Sequence, residues 1–259
     1  MKKTFRAAGL IAGLMLVFLA GCSTRISGLK ADPSFTYSAA VSGRIAIGGV
    51  VSSASPLSPA DTVTYSSQLQ TQLSEKRPGF VLIPYGVVAD QLGQEDQTRL
   101  LNELQTMGMP SNSSMGMLRQ KASGYRYIVF SRIDSDFIQR TLPEGRDANN
   151  KPDNTVRPTT SRRVTGSLQV IDIADGNIVW SATAKTELGN TSFPQTLIQA
   201  PPADTSSSSF RGALREAARE YVTGPRTEEK REYRYPSEPP LTRLLEDLFK
   251  GFSTNMPEK

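Results

Sequence analysis

The sequence of 259 residues contains no histidine and only one cysteine, Cys22. Without histidine, the chain lacks the commonest general base, the commonest metal ligand and the side chain that titrates near neutral pH. Without a second cysteine it has no internal disulfide and no thiol site apart from Cys22. These absences exclude histidine-based hydrolases and histidine metal centres, and they favour a function that depends on binding over one that depends on catalysis.

The first 22 residues have the anatomy of a secretory signal. Lys2, Lys3 and Arg6 form a basic start, residues 10–18 form a short apolar core, and Leu19-Ala20-Gly21-Cys22 supplies small residues at its end. The apolar core is too short to cross a bilayer as a helix. An ordinary signal peptide with an incidental cysteine is the alternative interpretation.

The last four of these residues resemble a bacterial lipobox. The resemblance implies cleavage before Cys22, a diacylglyceryl thioether (with chains such as palmitate) on its sulfur, and acylation of the new amino terminus. Two or three acyl chains anchor a protein stably, because each buried methylene contributes about 0.8 kcal/mol. Ser23 follows the cysteine, where Asp would usually mean retention in the inner membrane. We therefore expect an outer-membrane anchor with the domain facing the periplasm.

Charge argues against nucleic acid as a partner. The formal net charge of +5 includes Lys2, Lys3 and Arg6, and it is +2 once the signal has been removed. So small an excess of cations is weak evidence for a polyanionic partner, and no nucleic-acid binding is predicted. The chain that remains is long enough for one good-sized domain.

The predicted organisation has five parts. In chain order they are the signal peptide (1–21), the lipidated Cys22 with a tether (22–42), an α/β domain (43–223), a charged, proline-containing linker (224–240), and an amphipathic helix with its tail (241–259).

Three polar stretches are predicted to be without regular structure. Residues 23–37 show no period and are interpreted as a tether, which would reach at most on the order of 50 Å. Residues 142–161 and 188–209 are both rich in proline and polar residues, so both are interpreted as flexible insertions. Neither has the alternation that a membrane-spanning hairpin requires.

Strands and helices alternate in the remainder. Phe80–Tyr85 is a continuous apolar run, as in a strand buried on both faces. Asp175-Gly176 between two alternating segments predicts a hairpin. The predicted elements are a strand (44–51), a helix from Ser58 to about residue 76, a strand (80–85), helical segments around 100–107 and 115–122, a strand (125–138), the hairpin (164–184) and a helix (210–222).

This order resembles a group of envelope lipoproteins that includes the curli-secretion lipoprotein CsgG, the penicillin-binding-protein activator LpoB and the amino-terminal domain of TolB. The resemblance is carried by Arg44-Ile45-Ala46-Ile47, by Phe80–Ile83 and by the hairpin Leu168–Ser181, with Gly124–Val129 also fitting, and it covers roughly residues 43–222. It implies an α/β fold of three layers, with a mixed β-sheet flanked by helices and ending in an antiparallel hairpin plus a helix. The group has diverse functions and no catalytic residues to transfer.

The last predicted element is a short amphipathic helix that begins at Leu241. Burying its apolar stripe would contribute about 1.5–3 kcal/mol for each side chain. The stripe must therefore be covered by its own domain, a neighbouring subunit, a partner groove or the membrane surface. We take it as the candidate partner-binding surface, which consists of Leu241, Leu244, Leu245, Leu248, Phe249 and Phe252.

Three other sets of residues have weaker chemical interpretations. Ser27 and Lys30 spell S-x-x-K, a nucleophile motif, but the S-D-N and K-T-G motifs that accompany it are missing. Asp134 and Asp136 are either a carboxylate pair or, as we favour, a solvated strand end. Arg162-Arg163 either attracts an anionic polymer or keeps a loop soluble. No catalytic residue, cofactor or metal site is predicted.

The sequence thus predicts a lipid-anchored outer-membrane lipoprotein that is not an enzyme. Its periplasmic domain would act by protein–protein interaction, as scaffold or regulator of a cell-envelope complex. The alternative is an oligomeric, ring-forming component of a secretion apparatus, in which the C-terminal stripe joins neighbouring subunits. The predicted partners are the membrane, through Cys22, and an envelope protein or further copies of the chain.

Overall fold

The computed structural model describes residues 24–122, 124–196 and 233–259. The chain divides into two units. The main unit consists of three segments, which are the described chain as far as Ile138, Ser161–Leu188 and Pro239–Lys259. The small unit consists of two segments, Gln139–Thr160 and Gly189–Glu238. The predicted signal peptide, Cys22 and the predicted helix over 210–222 lie outside the described residues.

The main unit is built on a six-stranded mixed sheet. Its strands are β1 (Arg25–Ala31), β2 (Ile45–Ser52), β3 (Leu82–Ile83), β4 (Tyr127–Thr141), β7 (Thr159–Asp172) and β8 (Ile178–Thr191). They lie in the order β1-β8-β7-β4-β2-β3. Strand β2 runs parallel to β3 and β4, whereas β1 is antiparallel to β8. The predicted hairpin is confirmed, because β7 and β8 are neighbours and Gly176, at φ 82°, lies in the tight turn between them.

Helices pack on both faces of this sheet. They are α1 (Tyr37–Gly43), α2 (Pro59–Lys76), α3 (Tyr85–Leu92), α4 (Gln94–Met107), α5 (Asn112–Lys121) and α6 (Leu241–Thr254). In the first core, Ile45 and Ile47 of β2 meet side chains of α1, α2 and α6. In the second core, Ala46 meets side chains of α3, α4 and α5. Because successive strand residues point to opposite faces, β2 contributes to both cores, and the predicted three-layer α/β fold is confirmed.

All members of the two cores lie between Phe35 and Met256. A chain that begins at residue 24 therefore contains every described core residue.

Local sequence explains where the longest helix starts. Ser58 precedes α2, and its hydroxyl accepts a hydrogen bond from the backbone N–H of Asp61 at 3.1 Å. Pro59 occupies the first helical position, where its missing N–H costs nothing. This is an N-cap of the preferred kind, and the predicted start of the helix is confirmed.

The small unit contains a three-stranded sheet. Its strands are β5 (Glu144–Arg146), β6 (Pro152–Val156) and β9 (Gln195–Thr196), and β6 is antiparallel to both neighbours. The prediction of a flexible insertion over 142–161 is therefore wrong. Asp147 explains the error, because its carboxylate accepts backbone N–H bonds from Asn149 at 2.8 Å and Lys151 at 2.9 Å. Asn, Asp and Pro are typical of tight turns as well as of disordered segments.

The predicted tether is also wrong for residues 25–31, which form β1. Ile26 packs against the first core, and the strand hydrogen-bonds to β8. Most other side chains of β1 are exposed, as expected of an edge strand, so the segment shows little apolar pattern.

The apolar run over 80–85 is a further correction. Only Leu82–Ile83 is a strand, it lies at the edge of the sheet and it is half-buried, while Val81 is exposed. Pro84 then precedes α3, a helix that the pattern did not predict. No helix in the described ranges is long and apolar enough to cross a membrane.

Gly48 gives a direct test of how tightly the second face of β2 is packed. A Cβ atom at Gly48 would overlap the ring of Phe130, which is buried in the second core. We expect Gly48→Ala to lower the free energy of unfolding by about 1–3 kcal/mol, because the ring must move within a packed core. In contrast, Gly116→Ala on α5, where nothing lies within 4 Å, should raise it by about 0.5–1 kcal/mol. Urea denaturation of both variants measures the difference, and equal stabilities would contradict this packing.

Candidate functional site

The predicted partner-binding stripe on α6 is buried in the chain's own first core. Five of its six side chains, Leu244, Leu245, Leu248, Phe249 and Phe252, are at most 1% exposed, and the half-buried Leu241 packs against the same core. The ring of Phe252 stands edge-on to that of Trp180, with their centroids 6.5 Å apart. Of the covers that the sequence pattern leaves open for this candidate partner-binding surface, the structure shows the chain's own domain. The stripe is available neither to a partner groove nor to a neighbouring subunit.

The end of α6 is held by Arg77, the residue that follows α2. The guanidinium, in a residue only 8% exposed, donates to the carbonyl oxygens of Thr254 at 2.7 Å and of Met256 at 2.6 and 3.1 Å. The last carbonyls of a helix have no partner within it and carry a partial negative charge. The buried guanidinium of Arg77 donates hydrogen bonds to these carbonyl oxygens and balances their partial negative charge.

The amino-terminal side of the chain also contacts α6. The hydroxyl of Thr24 donates to the carbonyl of Asp247 at 3.2 Å. A Cβ atom at Gly251 would lie 2.8 Å from the Thr24 side chain and 3.2 Å from Ile26. The start of the described chain thus packs closely on the C-terminal helix.

The carboxylates and arginines near the ends of β4, β7 and β8 form separate ion pairs. Asp136 accepts from Arg162 at 2.5 and 2.7 Å, and Asp134 accepts from Arg132 at 2.6 Å. Arg163 lies 2.9 Å from the carboxylate of Glu187. Asp134 and Asp136 therefore do not act as a carboxylate pair, and Arg162-Arg163 is not a free cationic patch.

Two further chemical candidates are structural. Asp172 is 2% exposed, but it accepts a bond from Arg126 at 2.7 Å and another from the backbone N–H of Ala174 at 3.0 Å. The hydrogen bond to Asp172 raises the pKa of Arg126. The ion pair between the two side chains lies at the hairpin turn and holds it in place. Ser27 of the S-x-x-K motif is exposed on β1, where its hydroxyl reaches only the carbonyl of Thr183 at 3.5 Å. In the described ranges no three acidic, cysteine or histidine side chains cluster as metal ligands would.

A depression of about 740 Å³ runs along the outer face of α4 and is lined by residues of that helix alone. Among its lining residues is Glu103, which accepts bonds from the N–H and hydroxyl of Ser111 at 2.8 and 2.9 Å. Burial acts to raise the pKa of Glu103, but the hydrogen bonds from Ser111 and Ser114 outweigh it and lower the pKa. This carboxylate joins α4 to α5, and a single helix face does not enclose a ligand.

A polar surface remains on the second face of β7, β8 and β1. Leu168, Ala182 and Ala184 point into the first core, so the residues between them point to the opposite side. The second core contains no side chain of β1 or β8, so α3, α4 and α5 leave this part of the sheet uncovered. We name it the polar face; it comprises Arg25, Ser27, Lys30, Thr165, Ser181, Thr183 and Lys185.

A β-bulge brings Lys30 to the polar face. Ser27 pairs with Thr183 and Lys30 with Ser181, so β1 uses one more residue than β8 between these pairs. Without the extra residue, Lys30 would share the face of Ile26 and point to the first core. Gly28, at φ +59°, adopts the left-handed conformation that such a bulge requires.

The cations of the polar face are not used to stabilise the fold. Arg25, Lys30 and Lys185 are exposed and have no side-chain partner among the described residues. Arg25 stands directly opposite Lys185, where like charges are unfavourable. The sequence analysis missed this surface because it assigned residues 23–37 to a tether, so the cross-strand pairing of Arg25 went unseen.

No protein-family model matches the sequence, and no curated protein matches it. Solved structures of similar fold include the PelC dodecamer from Paraburkholderia phytofirmans, with a TM-score of 0.39, 10% identity and coverage of 92% of this chain and 100% of that chain. The lipoprotein GNA1162 from Neisseria meningitidis has a TM-score of 0.30 and 13% identity over 69% of this chain and 96% of that one. The C-terminal domain of LpoB from Salmonella enterica has a TM-score of 0.30 and 16% identity over 59% and 96%. Bacterial lipoproteins are among these structures, but at such scores they do not say what this chain does.

Removing a large side chain from α6 should destabilise the main unit. We expect Leu248→Ala to lower the free energy of unfolding by about 2–5 kcal/mol, because it opens a cavity in the first core. Loss of the charged hydrogen bonds in Arg77→Met should cost about 1.5–3 kcal/mol. The control Arg243→Met removes an exposed arginine that pairs with Glu246 and, at 4.0 Å, with Asp247, and it should change stability by less than about 1 kcal/mol. Chemical denaturation measures all three, and an Arg77→Met variant as stable as the control would contradict the capping role.

Proposed function

We propose that this chain is an outer-membrane lipoprotein, acylated on Cys22, whose domain faces the periplasm and regulates or scaffolds a cell-envelope complex by binding. The observation that supports it best is the position of the Leu19-Ala20-Gly21-Cys22 motif, at the end of a short secretory signal and directly before a folded domain. A cysteine in that position is the acyl acceptor of the lipobox that it resembles.

The domain would then be held close to the membrane. Only Ser23 and Thr24 separate Cys22 from β1, a distance of at most about 11 Å. Thr24 is itself hydrogen-bonded to α6, which shortens the free segment further. A partner must therefore come to the membrane surface, and a domain suspended well clear of the membrane is not expected.

Binding is favoured over catalysis by how the described charged groups are used. Asp134, Asp136 and Asp172 each have an arginine partner, whereas the cations of the polar face have none. A surface with unpaired charge is suited to recognition. We therefore propose a binding protein and not an enzyme.

Two features weigh against a ring assembled through strand edges or through α6. Strand β3 has only two residues, and β1 carries a bulge and an exposed lysine; both devices protect sheet edges from pairing. The α6 stripe is covered by its own chain. A regulator or scaffold of low subunit number is the function we favour.

The lipid anchor is tested by metabolic labelling with an alkyne analogue of palmitate. We expect the intact chain to incorporate the label and Cys22→Ala to lose it completely and remain as an uncleaved precursor. Ser23→Asp should keep the label but shift the protein from the outer-membrane to the inner-membrane fraction, whereas Ser23→Ala should do neither. Label retained in Cys22→Ala would overturn the proposal.

The subunit number is tested by light scattering on residues 24–259. We expect the mass of a monomer or dimer. Truncation at residue 240 should unfold the main unit rather than change its assembly, because it removes the buried side chains of α6; circular dichroism would show the loss. A ring-sized mass for the longer chain would favour the secretion component instead.

A further inference from the structure

The polar face has an excess of positive charge that nothing described in the chain neutralises. Arg25, Lys30 and Lys185 have no ion-pair partner among the described residues, and Arg25 and Lys185 face each other across β1 and β8. The adjacent pair of Arg163 and Glu187 is already balanced. Such a surface complements an anionic ligand.

The position of these cations indicates which anion they meet. Arg25 is the third residue after Cys22, so its Cα atom lies within about 11 Å of the Cα atom of the acylated cysteine. Electrostatic attraction between exposed charges acts over about 10 Å at 0.1 M salt. The nearest anions to a lipid-anchored Arg25 are therefore the phosphates of the leaflet that holds the anchor.

The remaining groups of the polar face suit phosphate oxygens. Three hydroxyl groups lie on β7 and β8 on the same face as the cations; they belong to Thr165, Ser181 and Thr183. Hydroxyl groups can donate hydrogen bonds to phosphate oxygens, as arginine and lysine do. None of the seven side chains is a large apolar one, so the surface fits the headgroup layer and not the hydrocarbon core. The bulge at Gly28 matters here, because it places Lys30 in the same surface as Arg25.

We propose that the polar face binds the anionic phospholipids of the leaflet that carries the Cys22 anchor, so that the domain lies against its own membrane in a fixed orientation. This inference rests on the proposed lipid anchor. The acyl chains and the polar face are then two linked contacts, and the second contact becomes effectively intramolecular once the first has formed.

The test uses the unanchored chain of residues 24–259, which contains both cores. Co-sedimentation compares vesicles of phosphatidylglycerol mixed with phosphatidylethanolamine against vesicles of phosphatidylcholine. We expect binding to the anionic vesicles only, weakening as salt is added. The triple variant Arg25→Gln/Lys30→Gln/Lys185→Gln should bind roughly a hundredfold more weakly, since each cation contributes about 1 kcal/mol at an anionic surface and 1.4 kcal/mol is tenfold.

The matched control is Lys151→Gln/Arg157→Gln/Lys259→Gln, which removes the same charge from exposed residues that are not on the polar face. It should bind nearly as tightly as the parent chain. Thermal melts of both variants must show an intact fold, as expected when exposed cations are removed.

Three results would overturn the proposal. They are no binding of the parent chain to anionic vesicles, equal losses in the two triple variants, and equal binding to phosphatidylcholine. Binding to dextran sulfate but not to vesicles would make the face a site for a soluble polyanion and would also reject the lipid. The anchor is judged separately by palmitate labelling of Cys22, so a failure of either proposal is recognised by itself.

Discussion

The packing of α6 against the first core is the contact on which the main unit depends. Leu244, Leu248 and Phe249 bury the side of the sheet that α1 and α2 leave open, and Trp180 would lose its cover without Phe252. Arg77 satisfies the carbonyls at the end of this helix. Residues 244–256 thus complete a core whose other described members begin at Phe35, so the first core closes only when segments far apart in the sequence meet.

This arrangement also decides where the protein has a surface left for binding. On the first face of the sheet, α1, α2 and α6 cover the side chains of the first core. On the second face, α3, α4 and α5 cover β2 and β4, while β1 and β8 contribute nothing to that core. Serine, threonine, lysine and arginine alternate with core residues on these outer strands, so the uncovered region is hydrophilic and charged. The proposed binding surface is a consequence of incomplete coverage by the described helices rather than of a cavity.

Elements specified by nearby residues were predictable. Ser58 with Pro59 marked the start of α2, and Asp175-Gly176 marked the hairpin, because capping and tight turns are local interactions. Elements specified by distant partners were not. Strand β1 exists through pairing with β8, more than 150 positions later in the chain, and its single inward apolar residue gave no period. Phe80–Ile83 is apolar enough for a central strand, yet the order of strands places β3 at the edge.

The sequence by itself predicted a secretory signal with a lipobox-like cysteine, the strands and helices whose signals are local, and the need to bury the stripe on residues 241–252. Only the tertiary structure decided what buries that stripe and which side of the sheet stays open. The physical reason is that periodicity reports how many sides of an element are apolar, but not the identity of the surface that covers them. The placement of Lys30 illustrates this, since one extra residue in β1, visible only in its register with β8, moves a cation from the core side to the polar face.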